Sequence, residues 1–306
     1  MQFKLVAIAG RKGHGKDTAA QALIQKGYTN VKFADALKGM FRLMLAADGL
    51  QKPMIERLVD GDLKELPIAY VEGKFLDAAM KANCEREMVR FLLDYQGAND
   101  NLDSEEPCAA LQDKSPAYAV ATLREFIERW AAKPDVTPRL IMQELGTEYG
   151  RVSLGNDLWT TATQLRIKAV NGPVVVTDMR FVNERDLMAG MGALLLRVRR
   201  PDLMDNEFSA HPSETAIDEL NVHYELANDG TVAKLHAHIT LAANNQKAGE
   251  RVVDLDAAEA LRYPNIFEHP NMRGCQRIIK QEEDDVKRRV RYTISYLDNI
   301  VLDRVA

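Results

Sequence analysis

Short apolar runs rich in Val, Leu and Ile recur along the chain and alternate with stretches of helical periodicity. The runs Leu5–Ala9, Val31–Phe33, Val174–Thr177 and Leu194–Val198, with the weaker Tyr224–Ala227, predict strands. Near-continuous apolar runs of this length suit strands covered on both faces, as in a parallel sheet flanked by helices. A first helix is expected from Lys16 to about Gln25, stopping before Gly27, and a second from about Leu37 to Ala47. From about Gln51 to Lys133 no strand pattern stands out; the stretch reads as helical in pieces, with an exposed loop at Gly97–Pro107. Beyond Asn244 the composition shifts, and Ala248–Gly274 reads as irregular. A last helix is expected after it, with Ile279, Val286, Val290, Ile294, Leu297, Val301 and Val305 at intervals of three, four or seven. Such a stripe buries one face, either on the chain's own body or in a homodimer seam, and periodicity alone does not choose.

Length and composition narrow the function classes. At 306 residues the chain can bury a full-sized core as one large domain or two modest ones. Its 46% hydrophobic and 28% charged content is ordinary for a globular protein. The 40 Lys and Arg against 45 Asp and Glu leave a net charge of −5, which disfavours a nucleic-acid partner, since such binders need surplus cations to neutralise phosphates. The three cysteines, Cys84, Cys108 and Cys275, are widely spaced and lack CxxC or His partners, a pattern of free thiols in a reducing compartment. No run approaches membrane-spanning length and no signal-peptide pattern is seen, so a cytoplasmic location is expected.

The strongest chemical signal is Gly10-Arg-Lys-Gly13-His14-Gly15-Lys16-Asp17-Thr18, placed between the first strand and the first helix. In that setting GxxxxGK is a phosphate-binding loop. The glycines let successive backbone N–H groups turn inward, and the new helix adds its positive end. Lys16 would bridge the β- and γ-phosphates of ATP. Asp17 stands where such loops normally carry Ser or Thr to hold Mg²⁺; it could take the ion directly or through water, while Thr18 suits an α- or β-phosphate.

A second signal is Val174-Val-Val-Thr177-Asp178, a hydrophobic strand ending in a carboxylate. Ligands of open α/β sheets gather at strand C-terminal ends, so Asp178 is expected beside the phosphate loop, ordering Mg²⁺ or touching the acceptor. Arg180 could then reach the transferring phosphoryl group bidentately.

Three segments together resemble the deoxynucleoside monophosphate kinases of tailed phages: Gly-Lys-Asp-Thr (15–18), Pro-Arg-Leu-Ile-Met-Gln-Glu-Leu-Gly-Thr-Glu (138–148) and Thr-Asp-Met-Arg-Phe-Val-Asn-Glu (177–184). Weaker echoes are Phe33-Ala-Asp-Ala-Leu-Lys38, His211-Pro-Ser-Glu214 and Asn228-Asp-Gly230. The likeness covers about residues 1–72 and 134–240. It implies an α/β P-loop kinase, three-layered around a five-stranded parallel sheet, with ATP as donor and a deoxynucleoside monophosphate as acceptor. At matching positions, Leu37, Lys38, Arg139, Gly146, Thr147, Trp159, Asp178, Arg180 and Glu184 would line the acceptor site. Arg199 and Arg200 would serve a lid over ATP, in the stretch running from Arg197 toward His211.

Residues 1–244 are thus expected to form the kinase body, including an enlarged helical insertion at about 50–133, and 245–306 a C-terminal extension, irregular and then helical. Two other readings fit the phosphate loop: a kinase of another small acceptor such as dephospho-coenzyme A, and a non-catalytic nucleotide-binding switch. The 139–148 segment and Trp159 suit a nucleotide base better than a pantetheine arm.

Overall fold

The computed structural model describes residues 4–68, 78–201, 203, 217–218, 220–244, 249–262, 275–284 and 289–296. The chain divides into two compact units, one comprising Met1–Asn30 and Gly172–Ala306 and the other Val31–Asn171. We call them the sheet unit and the helical unit.

The sheet is five-stranded and parallel, in the order β2-β3-β1-β4-β5. Its strands are β1 (Leu5–Ala9), β2 (Thr29–Val31), β3 (Val174–Met179), β4 (Leu194–Arg199) and β5 (Tyr224–Ala227). Strand β1 is central because all five of its residues are apolar and buried. It pairs in parallel with β3 on one side and β4 on the other. Alternation sorts its side chains: Val6 and Ile8, with Leu194, Leu196 and Val198 of β4, form one core with helices α1 (Lys16–Ile24) and α9 (Val232–Asn244). Leu195 and Ala7 point to the opposite face and are buried too. Helix α8 (Val182–Gly190) packs against β4. The predicted strand at Val31–Phe33 begins two residues earlier: Thr29 N–H donates to the Pro173 carbonyl at 2.8 Å. After Val31 the chain turns, with Lys32 N–H donating to the Asp35 carboxylate at 2.8 Å, so Phe33 is buried without extending the strand.

The helical unit holds α2 (Asp35–Ala47), α3 (Lys52–Val59), α4 (Ala78–Tyr95), α5 (Pro116–Ala131), α6 (Pro138–Glu144) and α7 (Leu158–Ala169). Its helix starts are written locally. Ser115 caps α5 by accepting from Tyr118 N–H at 3.1 Å, Thr137 caps α6 by accepting from Leu140 N–H at 3.2 Å, and each is followed by proline, whose missing N–H costs nothing there. Met40, Phe41, Met44 and Leu45 form the buried stripe of α2, joined in one core by Trp130, Tyr149 and Trp159. Cys84 and Cys108 are free thiols, and burial pushes the Cys84 thiol up to about 12.

Between α6 and α7 the backbone widens into a ten-residue π-helix, Leu145–Leu154. Such i→i+5 stretches are rare and tend to mark functional segments. Trp159 holds this one: its indole N–H donates to the Gly146 carbonyl at 2.8 Å, and its ring lies against the α-carbon of Gly150. Tyr149, fully buried, ties the segment to α5 by donating its hydroxyl to the Ala119 carbonyl at 3.2 Å.

The C-terminal region corrects the sequence-based expectation. The stretch read as irregular contains strand β6 (Gly249–Asp256), followed by the short α10 (Ala257–Ala260). The expected last helix is instead strands β7 (Cys275–Asp284) and β8 (Arg289–Tyr296), which complete an antiparallel sheet in the order β6-β8-β7. Val290 and Ile294 are four apart, a spacing that satisfies a period of two as well as a helical one. The sequence Arg-Val-Arg-Tyr-Thr-Ile-Ser-Tyr over β8 alternates polar and apolar without a break, and Val290 is buried opposite Leu255. Ile279 belongs to β7; Val286, Leu297, Val301 and Val305 lie outside the described residues.

A β-carbon at position 150 would stand 2.4–2.5 Å from three atoms of the buried Trp159 ring. Gly150→Ala is therefore expected to destabilise the protein by about 1–3 kcal/mol, the usual cost of overpacking a rigid core. The denaturant midpoint of the variant checks this; an unchanged midpoint would mean that the ring does not pin the π-helix.

Candidate active site

In the sheet unit the chain leaves β1 at Gly10 and returns into α1 at Lys16, at the C-terminal end of the central strand. Gly10 and Gly15 both leave no room for a side chain: a β-carbon on Gly10 would stand 2.6 Å from the Val198 carbonyl oxygen, and Gly15 is constrained in two ways. Its φ is 96°, in the left-handed region, and a β-carbon there would stand 2.5 Å from the Asn228 side-chain amide. Asn228 follows β5, and its amide donates to the His14 carbonyl at 3.0 Å, holding the crest of the loop from behind. Gly10 is buried and Gly13 exposed. Lys16 is 8% exposed, and its ammonium donates to the Arg11 carbonyl across the loop at 2.8 Å. Burial, with Lys16 and Arg11 as neighbouring charges, holds the His14 imidazole below its usual range, so it is neutral at pH 7. Asp17 is exposed on the first turn of α1, and Thr18 is half-buried with its carbonyl bound to His236 of α9 at 2.8 Å.

A cavity of about 210 Å³ adjoins the loop, lined by Gly10, Arg11, His14, Val198, Arg199 and Arg200 among others. It is smaller than the roughly 300–1,000 Å³ of a typical whole-ligand pocket, and its size suits one end of an extended ligand. Arg199 and Arg200, expected to serve the lid, are exposed at the end of β4, with Arg199 3.5 Å from Glu225. Arg197 is committed elsewhere: its guanidinium donates to the Ile217 and Asp218 carbonyls at 3.0 and 3.1 Å and also to that of Leu220. Arg11 pairs with Asp218. Residues 204–216, including the His211–Glu214 motif, lie outside the described residues.

Asp178 is the penultimate residue of β3, half-buried next to the end of β1, since Met179 is in register with Ala9. Arg180 follows on the turn into α8. Glu184 is 2% exposed, and its carboxylate reaches back to the N–H groups of Arg180 and Phe181 at 2.7 and 3.2 Å. It thus caps α8 and fixes the turn that carries Arg180.

The remaining expected acceptor residues lie in the helical unit. Leu37 and Gly146 are neighbours: a β-carbon on Gly146 would meet the Leu37 side chain at 3.4 Å. Lys38, on α2, pairs with Asp60, which also takes a hydrogen bond from Arg42. Arg139, at the start of α6, pairs with Glu65, and its N–H donates to the Lys64 carbonyl at 3.0 Å. Thr147 is exposed on the π-helix. Trp159 is 2% exposed with its N–H satisfied by Gly146, so its ring supports the wall that carries Gly146 and Thr147 instead of offering a face to solvent.

Two residues of this arrangement lie outside the sequence-derived site. Asn228 stood within a weak motif echo, and only the fold brings its amide behind Gly15. Lys64 has no motif around it; its proximity to Lys38 and Arg139 emerges from the packing of the 60–68 segment against α6.

The family model for deoxynucleotide monophosphate kinases matches residues 4–239, and the chain belongs to that family. It is 32% identical over 99 residues to a deoxynucleoside-5'-monophosphate kinase of Escherichia phage T5, covering 30% of this chain and 40% of that one. It is 27% identical over 133 residues to a protein of Acanthamoeba polyphaga mimivirus provisionally assigned as a deoxynucleotide monophosphate kinase, covering 39% and 65%. The matched part is therefore less than two thirds of either relative. Among the described residues no helix is long and apolar enough to cross a membrane.

Removing the Asn228 amide frees the His14 carbonyl and one side of the loop. Asn228→Ala is expected to weaken binding of a phosphate-chain ligand about 3- to 10-fold, the scale of one buried hydrogen bond. Equilibrium binding of ATP to the two proteins measures it, and equal affinities would remove Asn228 from the site.

Proposed function

We propose that the protein transfers the γ-phosphate of ATP to a deoxynucleoside 5'-monophosphate, giving ADP and the diphosphate. The observation that carries this reading is the glycine turn around Lys16 at the end of the central strand, in a chain that belongs to this kinase family. A lysine so nearly buried, in a glycine turn at a helix N-terminus, suits an anion cradle.

In this reading Gly10, Gly13, His14, Gly15, Lys16, Asp17 and Thr18 hold the donor phosphates, and Arg199 and Arg200 close over the nucleotide. Lys38 and Arg139 hold the acceptor phosphate, with Leu37, Gly146 and Thr147 forming the wall beside it. Asp178 and Arg180 attend the phosphoryl group in transit. An acceptor phosphate oxygen is already ionised at neutral pH, so no protein nucleophile or general base is required. The residues act by positioning and by neutralising charge. Glu184 contributes by fixing Arg180, and Trp159 by fixing the π-helix.

Mg²⁺ fits this donor set in one way only. Among the described residues no group of three acidic, His or Cys side chains could hold a metal. Asp17 and Asp178 supply single oxygens, which suits an ion bound mainly by nucleotide phosphates and water. Bound there, it would neutralise charge on the β- and γ-phosphates. Inside a cell the reaction belongs to the cytoplasm, where ATP and nucleoside monophosphates are found. The cation pair at Lys38 and Arg139 favours a monophosphate acceptor over a non-catalytic switch, which has no use for a second anion site.

Two variants separate the two sites. Lys16→Ala is expected to lower turnover by about 10² or more, because a preorganised charge is lost at the transition state. Near-normal ADP release would remove the donor site as assigned. Arg139→Ala is expected to raise the KM for the monophosphate about tenfold or more while changing the KM for ATP little. A rise in the ATP KM alone would reverse the assignment.

A further inference from the structure

The cation cluster of the helical unit contains a third member whose surroundings are unusual. Lys64 is half-buried; its carbonyl accepts from Arg139 N–H at 3.0 Å, and Asp60 and Glu65 on the same segment pair with Lys38 of α2 and with Arg139 at the start of α6, which brings both cations to its neighbourhood. The carboxylates facing it are Asp60 and Glu65, both on its own connecting segment, and both are already engaged: Asp60 by Lys38 and Arg42, Glu65 by Arg139. Asp60 is the more deeply committed. Burial pulls its carboxyl up, but the hydrogen bond and charge of Lys38, with the charge of Arg42, hold it below its usual range. Among the described residues the Lys64 ammonium makes no hydrogen bond or ion pair of its own.

A half-buried ammonium beside two other cations, with its nearest anions taken, is electrostatically unfavourable unless another anion arrives. The arrangement makes the ammonium easier to deprotonate than an exposed lysine. Burial first, then the charges of Lys38 and Arg139, push Lys64 down to about 8. Lysine adapts in this way, and arginine does not.

We propose that Lys64 is a further ligand of the acceptor phosphate, and that phosphate binding draws a proton onto it. The proposal rests on the acceptor reading given above for Lys38 and Arg139. A phosphate dianion between the three side chains reverses the sign of the local field, so the ammonium becomes the favoured form. The sign follows directly. In the free protein Lys64 is largely charged below about pH 8 and largely neutral above it. Acceptor affinity therefore falls as pH rises through that value, and above it each phosphate bound brings a proton with it. Arg42 and Glu56, paired with one another at 3.0 Å, stand one step further out and keep their charges throughout.

The test is titration calorimetry at pH 8, where a monophosphate is already dianionic. Each of the four deoxynucleoside monophosphates, and inorganic phosphate, is titrated in two buffers of different ionisation enthalpy. Wild-type protein is expected to take up about half a proton per phosphate bound. Lys64→Met should bind about 10- to 100-fold more weakly with no uptake, its fold checked by thermal melting. Lys64→Arg should bind within a few-fold of wild type yet take up no proton, because the guanidinium is charged at every pH used. If Lys64→Met does not fold, the arginine variant decides alone: wild-type uptake in it would overturn the proposal. So would Lys64→Met binding with wild-type affinity. Failure of wild-type protein to bind any of the five ligands would overturn the acceptor reading itself, a separate result.

Discussion

A buried lysine at the mouth of a helix is the constraint around which the sheet unit is arranged, Lys16 being only 8% exposed. One of its partners is a backbone carbonyl of its own loop, that of Arg11. A neutral carbonyl offsets part of the desolvation of a full charge, and a phosphate offsets far more. The surrounding features follow from keeping that charge in place. The central strand is apolar throughout so that it can be buried on both faces, and the loop crest is backed by the Asn228 amide, close enough to leave no room for a side chain on Gly15. The His14 ring, kept neutral by burial, adds no further positive charge.

The helical unit treats charge differently. Lys38 and Arg139 have carboxylate partners in Asp60 and Glu65, whereas burial and the neighbouring charges push Lys64 down to about 8. Its wall is made rigid by packing. A π-helix has poorer hydrogen-bond geometry than an α-helix and needs outside support. Trp159 supplies it through one hydrogen bond and a ring that fits only against a glycine, and Tyr149 supplies it from within the core. The position expected to stack on a base thus shapes the backbone that carries Gly146 and Thr147.

Much of the sheet was legible because buried parallel strands leave a signal no helix of that length matches. Strands β1 and β5 begin and end at the residues read from the sequence, and β3 and β4 extend the predicted runs by two residues and one. Hydrophobicity reports burial and not hydrogen bonding, which is why Phe33 was placed in a strand that ends at Val31. The C-terminal strands were misread because intervals of four satisfy both periods, and only the strict alternation over Arg289–Tyr296 separates them. The glycine loop, Asp178 and Arg139 were visible as motifs. Asn228 showed only within a weak motif and Lys64 in none, since their roles arise from residues distant in sequence such as His14 and Arg139, and the widening at Leu145–Leu154 has no periodicity that marks it.

Whether the turn around Lys16 is an anion cradle is tested most directly by the affinities of ATP, ADP, AMP and adenosine, measured by calorimetry on the same preparation. A loop that holds phosphates predicts a stepwise loss of affinity along that series, steepest as the β- and γ-phosphates disappear and steeper at low salt. Adenosine binding as tightly as ATP would contradict the account, because recognition would then lie in the base and Lys16 would have no anion to meet.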